Sequence, residues 1–167
     1  MRRDREIDVV VVGSTNFDLV VKAERLPKEG ESMMVDVVSP NETELAQLAG
    51  TDVTDRVSAQ QAAEKLLSQG VQTVVLKLGS DGSMLVRPQG TLHFPAYKIK
   101  GVDPTAAGDA FTAAYTVEYG AGTKIEDAIR FANAAGALAA SKLGAQPSLP
   151  TRQEVEDFIA RQGQLSR

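Results

Sequence analysis

Asp103-Pro104-Thr105-Ala106-Ala107-Gly108-Asp109-Ala110-Phe111 is the stretch that decides how this chain is read. Pro104 fixes φ and has no N–H, and a helix is expected to follow it over Ala106–Tyr119. Thr105 to Gly108 puts small side chains where the loop enters that helix. An anion can then approach the first unpaired backbone N–H groups, where those donors and the helix dipole favour negative charge. Asp109 falls in the first turn, where the same dipole keeps a carboxylate ionised. A carboxylate beside an anion hole suits transfer of a phosphoryl group to a hydroxyl. The carboxylate takes the hydroxyl proton while the amides hold the charge of the moving group. The same residues also suit a plain helix start, with Asp109 as its cap and Gly108 allowing close packing.

Working outward, the chain alternates strands and helices. Ile7–Val12 is a β-branched run ending at Gly13, the pattern of a strand buried on both faces in a parallel sheet. Phe17–Val21 and Met33–Val38 are further strands, and Asn41–Leu48 is a helix stopped by Gly50. Ser58–Ser68 repeats apolar residues at helical spacing and stops at Gly70, a C-terminal cap. Val71–Leu78 reads as a strand running into the tight turn Gly79-Ser80-Asp81-Gly82, and Ser83–Arg87 with Thr91–Phe94 as a hairpin. Ile125–Lys142 is an Ala-rich helix, and Thr151–Arg161 starts with Thr151 and Glu154 spaced as a capping box. This order implies a three-layer α/β/α sandwich with a mostly parallel, Rossmann-like sheet, whose ligands bind at the carboxyl ends of the strands.

Composition narrows the partners. The 167 residues suit one domain with a core of Val, Leu, Ile and Ala; 43% are apolar, 24% charged, and Trp is absent. A formal charge of −4 argues against a nucleic-acid partner. The absence of Cys rules out disulfides and thiolate metal sites and fits a cytoplasmic protein. Val9–Val12 is too short an apolar run for a signal core or a membrane span. No Gly-x-x-x-x-Gly-Lys-Ser/Thr loop occurs, which excludes a P-loop kinase. His93, the single histidine, reads as a strand surface residue.

Asp103 to Phe111 resembles the signature of the ribokinase-like (PfkB) carbohydrate kinases, and further segments match in that family's order. Val11-Val12-Gly13-Ser14-x-Asn16-x-Asp18 looks like its first strand and sugar-contacting turn. Asn41-Glu42-Thr43-Glu44 looks like its Asn-x-x-Glu motif, Leu76–Gly82 its nucleotide loop, and Gly144–Ser148 its late loop beside a monovalent cation. The resemblance implies a transferase that uses ATP, Mg²⁺ and K⁺ in carbohydrate metabolism. Asp109 would be the catalytic base, with Ala106, Ala107 and Gly108 giving the anion hole through backbone N–H groups. Asn41, Lys77, Gly79, Asp81, Gly82 and Asn133 would bind the nucleotide, and Glu44 would reach Mg²⁺ through water. Asn16, Asp18 and Asp109 would meet the sugar. Asp103, Thr105, Ala139, Lys142, Gly144 and Ser148 would surround the monovalent cation. Plainer readings stand beside these. Asn41 and Glu44 have capping-box spacing, Asn133 suits a helix-packing amide, and Asn16 with Asp18 suits an Asx turn and a solvated carboxylate.

The likeness is interrupted. Family members are close to twice this length, and the segments expected after Ser32 are missing before Met34. Those include most of the lid and the sugar-clasping Gly-Gly-Lys-Gly-x-Asn. Residues 1–32 then correspond to a sugar-side and partial lid segment, and 33–167 to the nucleotide-binding and catalytic part. Pro104 stands where the family usually has Thr or Ser. Losing central βα units exposes apolar faces, so either a compacted sheet with new neighbours or a homo-oligomer that covers the gap is expected. Two functions follow: a kinase acting on a sugar, with ribose nearest and fructose, a deoxy-sugar acid or a nucleoside open, and a nucleotide-binding remnant without efficient catalysis. A non-enzymatic interaction protein is the third and has only the exposed surface behind it.

Overall fold

Four residues separate the first two strands, and a connection that short can only turn the chain back on itself. In the computed structural model, which describes residues 10–13, 18–21 and 36–165, β1 (Val10–Gly13) accordingly pairs antiparallel with β2 (Asp18–Val21). β2 pairs antiparallel with β3 (Val37–Val38), and β3 pairs parallel with β4 (Thr73–Lys77). With β5 (Ser83–Arg87) and β6 (Gly90–Phe94), the strands form one sheet in the order β1-β2-β3-β4-β5-β6. The α/β class expected from the sequence holds, but the sheet is mixed, and the parallel setting expected for the first strand is corrected to an antiparallel one.

The chain divides into two compact units, residues 1–77 with 84–92, and residues 78–83 with 93–167. In the first unit, α1 (Glu42–Ala49) is capped by Asn41, whose side chain accepts the Glu44 N–H while the Glu44 carboxylate accepts the Asn41 N–H. Each bond satisfies a donor that the first helical turn leaves open. Gly50 ends the helix at φ 61°, a left-handed conformation that costs glycine nothing. α2 (Arg56–Ser68) begins two residues before the expected Ser58, because Asp55 and Ser58 form a reciprocal cap. Its buried residues Ala59, Ala62, Ala63 and Leu66 recur at the spacing of one helix face. The helix ends with Gly70 N–H donating to Leu67 O and Val71 N–H to Leu66 O, the Schellman pattern. That commitment of Val71, and the start of a turn at Leu78, shorten β4 from the expected Val71–Leu78. Val74, Val75 and Leu76 are fully buried, which explains their continuous apolar run.

In the second unit, α3 (Ala107–Gly120) packs on α4 (Ile125–Ala140), and α4 on α5 (Arg152–Leu165). α4 stops at Ala140 rather than Lys142 because Ser141 and Lys142 N–H groups fold back on Leu138 and Ala139. Gly136 allows α3 and α4 to meet closely: a Cβ there would lie 3.1 Å from Ala107 O. Ala134, Ala135, Val155 and Phe158 form the core between α4 and α5, with Tyr97 edge-on to Phe158 at 5.4 Å. Thr151 and Glu154 cap α5 as expected, through a 2.7 Å bond from Thr151 N–H to the carboxylate. Among the described residues, no helix is long and apolar enough to cross a membrane.

Glu154 lies between the Thr151 N–H and the Lys142 ammonium, and these two partners push its pKa down from 4.5 to about 2. A folded-state pKa below the unfolded one stabilises the fold at higher pH. That contribution is complete above pH 4.5 and disappears as pH falls towards about 2. Melting curves between pH 5 and about 2 should therefore fall more steeply for the parent chain than for Glu154→Gln.

Candidate functional site

The first group of candidate residues sits where β3 and β4 run out side by side. Their parallel register, Val37 with Thr73 and Val38 with Val74, continues as a bridge between Asn41 and Lys77. Lys77 N–H donates to Pro40 O at 2.8 Å. This register carries Lys77 to the start of α1, where its ammonium lies 4.0 Å from Glu44 Oε2. The Lys77 side chain is 13% exposed and that of Glu44 22%. Asn41, Glu44 and Lys77 are thus gathered at the carboxyl ends of two parallel strands, the usual ligand position in α/β sheets. The capping reading of Asn41 and Glu44 is correct as geometry, and it takes one oxygen of the Glu44 carboxylate. Among the described residues, no set of three or more His, Cys, Asp or Glu side chains could hold a metal ion directly.

The second unit holds the remaining described candidates. Gly79–Asp81 is a single 3-10 turn closed by Gly82 at φ 94°. A Cβ on Gly82 would lie 2.0 Å from Phe94 O and 2.6 Å from Ala96 N, so backbone passes where a side chain would stand. Asn133, buried on α4, donates to the same Phe94 carbonyl at 3.3 Å. Its packing role is therefore real, and it brings Asn133 and the Gly82 turn to one backbone group.

At the entry to α3, the Asp103 carboxylate accepts the Thr105 N–H at 3.0 Å, the Thr105 hydroxyl at 2.5 Å and the Gly144 N–H at 3.0 Å. The Thr105 hydroxyl and then these amides hold its pKa below the ordinary value. Of the other residues expected around a cation, Ala139 O accepts the Lys142 N–H and the Ser148 hydroxyl donates to Ala145 O. The Lys142 ammonium pairs with Glu154 at 3.0 Å. Through Asp103 and Gly144 this geometry joins the loop before α3 to the loop after α4.

Pro104 O accepts the Ala107 N–H at 3.0 Å, and Ala106 O accepts the Ala110 N–H at 2.9 Å. Gly108 and Asp109 follow in the first turn, where a helix supplies no partners for its own N–H groups. The N-cap, Ala106, has no side-chain cap bond, so the reading of Asp109 as the helix cap is corrected. Asp109 stands exposed in the first turn of α3. Asn16 lies outside the described residues, and Asp18 is described only through its backbone pairing with Gly13. The contacts of His93 and Phe94 with the 79–82 turn were not foreseen, because they join residues that no local sequence pattern relates.

The second unit thus holds a helix N-terminus with small residues and an exposed carboxylate in its first turn, and the first unit a polar cluster at parallel strand ends; each is an arrangement that suits an anion in an α/β protein. The sequence pattern of the pfkB family carbohydrate kinases matches residues 14–152, and the chain belongs to that family. Ribokinase of Haemophilus influenzae is 36% identical over 126 residues, 75% of this chain and 41% of that protein. The structure of Arabidopsis thaliana ribokinase complexed with ribose and ATP aligns with a TM-score of 0.71 and 38% identity, over 75% of this chain and 41% of that one. A putative ribokinase II of E. coli, in complex with ATP and Mg²⁺, aligns with a TM-score of 0.65 and 31% identity, over 76% of this chain and 40% of that one. The chain thus spans well under half the length of the relatives it matches.

Gly82 yields a direct test of the turn. Gly82→Ala combines a φ of 94° with a clash against Phe94 O. The backbone conformation alone should cost roughly 1–3 kcal/mol. A clearly lower melting temperature is expected, and an unchanged one would show that the turn is not packed as described.

Proposed function

We propose that this chain carries the nucleotide-binding and phosphoryl-transfer part of an ATP-dependent sugar kinase, with ribose the first substrate to test. The observation behind this reading is Asp109, an exposed carboxylate in the first turn of α3 beside Gly108 and the turn's own N–H groups. Asp109 takes the proton from a sugar hydroxyl as that oxygen forms its bond to the γ-phosphorus and the bond to ADP breaks. The N–H groups of Gly108 and Asp109, and that of Ala106 in the loop, face the charge gathering on the transferred group. Ala107 joins them only if its bond to Pro104 O opens. Gly79, Asp81, Gly82 and Asn133 are the nucleotide-binding candidates of the second unit, and Asn41 and Lys77 those of the first. Mg²⁺, when bound, would neutralise phosphate charge. Glu44, with one oxygen already on Asn41 N–H, has the other for a metal-bound water. Asn16 and Asp18 would meet the sugar, and a K⁺-type ion at the Asp103 loops completes the reading.

The short span relative to the kinases it matches favours a second reading, a nucleotide-binding module without efficient transfer. Positioning and water exclusion supply much of phosphoryl-transfer catalysis, and more than half of each relative lies beyond the aligned part.

ADP release should be followed over a panel of ribose, fructose, deoxy-sugar acids and nucleosides. Asp109→Asn should lower any sugar-dependent rate by roughly 100- to 10,000-fold, the usual worth of a general base. Equal rates in the variant and the parent would remove Asp109 from the mechanism. Calorimetry with an ATP analogue, with and without ribose, separates the two readings, since binding of nucleotide but not sugar selects the module.

A further inference from the structure

The Gly79–Gly82 turn is closed internally by three backbone bonds. Leu78 N–H donates to Gly82 O at 2.8 Å, Asp81 N–H to Leu78 O at 3.0 Å, and Gly82 N–H to Gly79 O at 3.2 Å. A lone 3-10 turn of this kind has poor hydrogen-bond geometry and no neighbouring turns to stabilise it. Something beyond the turn must therefore hold it. His93, the only histidine of the chain, places Nε2 2.8 Å from Asp81 O and 3.8 Å from Asp81 Oδ2. A carbonyl only accepts, so Nε2 carries the proton in the neutral ring as it does in the imidazolium. The next residue, Phe94, abuts Gly82 through its carbonyl, the same carbonyl that Asn133 holds. The end of β6 therefore grips the turn at Asp81 through a side chain and at Gly82 through backbone. His93 is an exposed residue, as the surface reading expected, although its side chain, which reaches back to Asp81, is 27% exposed.

We propose that His93 is a positioning residue for nucleotide binding, fixing the Gly79–Gly82 turn in its binding conformation through the Asp81 carbonyl. This rests on the reading above that Gly79, Asp81 and Gly82 contact the nucleotide. A turn that samples other conformations binds more weakly in proportion to the time it spends in them. Loss of one neutral hydrogen bond corresponds to a factor of about three to ten.

The test uses His93→Ala and His93→Gln in the full chain; the Gln amide supplies an N–H donor at similar reach. Two measurements are made: amide hydrogen exchange at Asp81 and Gly82 without ligand, and calorimetric titration with a non-hydrolysable ATP analogue and Mg²⁺. In His93→Ala, exchange at both amides should rise and analogue affinity should fall by about three- to tenfold, with exchange in α3 to α5 unchanged. His93→Gln should restore both. Unchanged affinity in His93→Ala, in a parent that binds the analogue, overturns this proposal alone. Equal losses in both variants, with faster exchange through α3 to α5, mark a general loss of stability and also overturn it. A parent that binds no analogue overturns the underlying nucleotide reading.

Discussion

The carboxylate of Asp103 carries three hydrogen bonds and, with them, the entrance to α3. Two come from Thr105, two residues along, and fold the loop into a tight turn ahead of the helix. The third comes from Gly144, so the loop after α4 is tied to the loop before α3. The backbone N–H groups of Val102 and Asp103 both donate to Ala140 O, at the end of α4. Position along the helix pair is then set at Gly136, which admits Ala107 O where a larger residue would push it away. The place of the first turn of α3, and so of Asp109, follows from this clamp. An ionised carboxylate suits the task because it only accepts, and each of its three partners is a donor. Its lowered pKa is the same fact seen from the proton's side.

Much of this was legible in the sequence because the devices are local. Asn41 with Glu44 and Thr151 with Glu154 are reciprocal caps within one turn, and both form as their spacing implies. The buried face of α2 was legible in Ala62, Ala63 and Leu66; the structure adds Ala59 and leaves Leu67 half-buried. Asp55 escaped notice because Ser58 takes the place that Glu or Gln holds in the common capping box. The direction of β1 was misread because a continuous apolar run reports burial on both faces and says nothing about the neighbour's direction. The span between strands carries that information: 14–17 is too short for a crossover, whereas 39–72, between β3 and β4, accommodates two helices. His93 could not be read from its surroundings. Its partner is twelve residues away, and only folding of the 78–83 segment with 93–167 brings Asp81 to it.

Several candidate residues prove to have structural work of their own, and this bears on what the motifs mean. Asn41 and Glu44 cap α1, Asn133 holds Phe94, Asp103 joins two loops, and Ser148 closes its own short turn. Local geometry would therefore keep each of them useful even if the chemistry were lost. Asp109 differs. It caps nothing, stands exposed, and occupies a first turn that could be served by any good helix former. A residue with no structural work to explain it is better evidence for a reaction than one that would be needed anyway.

The limited span of the chain sharpens that distinction. Phosphoryl transfer asks little covalent chemistry of a protein; it asks for charge in the right place and for water kept out. On the proposed reading that charge comes from the α3 N-terminus and Asp109 in the second unit, and from the Lys77 ammonium beside Glu44 in the first. Keeping water out requires surface to close over the site, and more than half of each relative lies beyond the aligned part. Affinity for a nucleotide can therefore persist where transfer fails, because amide donors and a glycine-closed turn work in an open site. The Asp109 carboxylate is effective only when a hydroxyl is held against it.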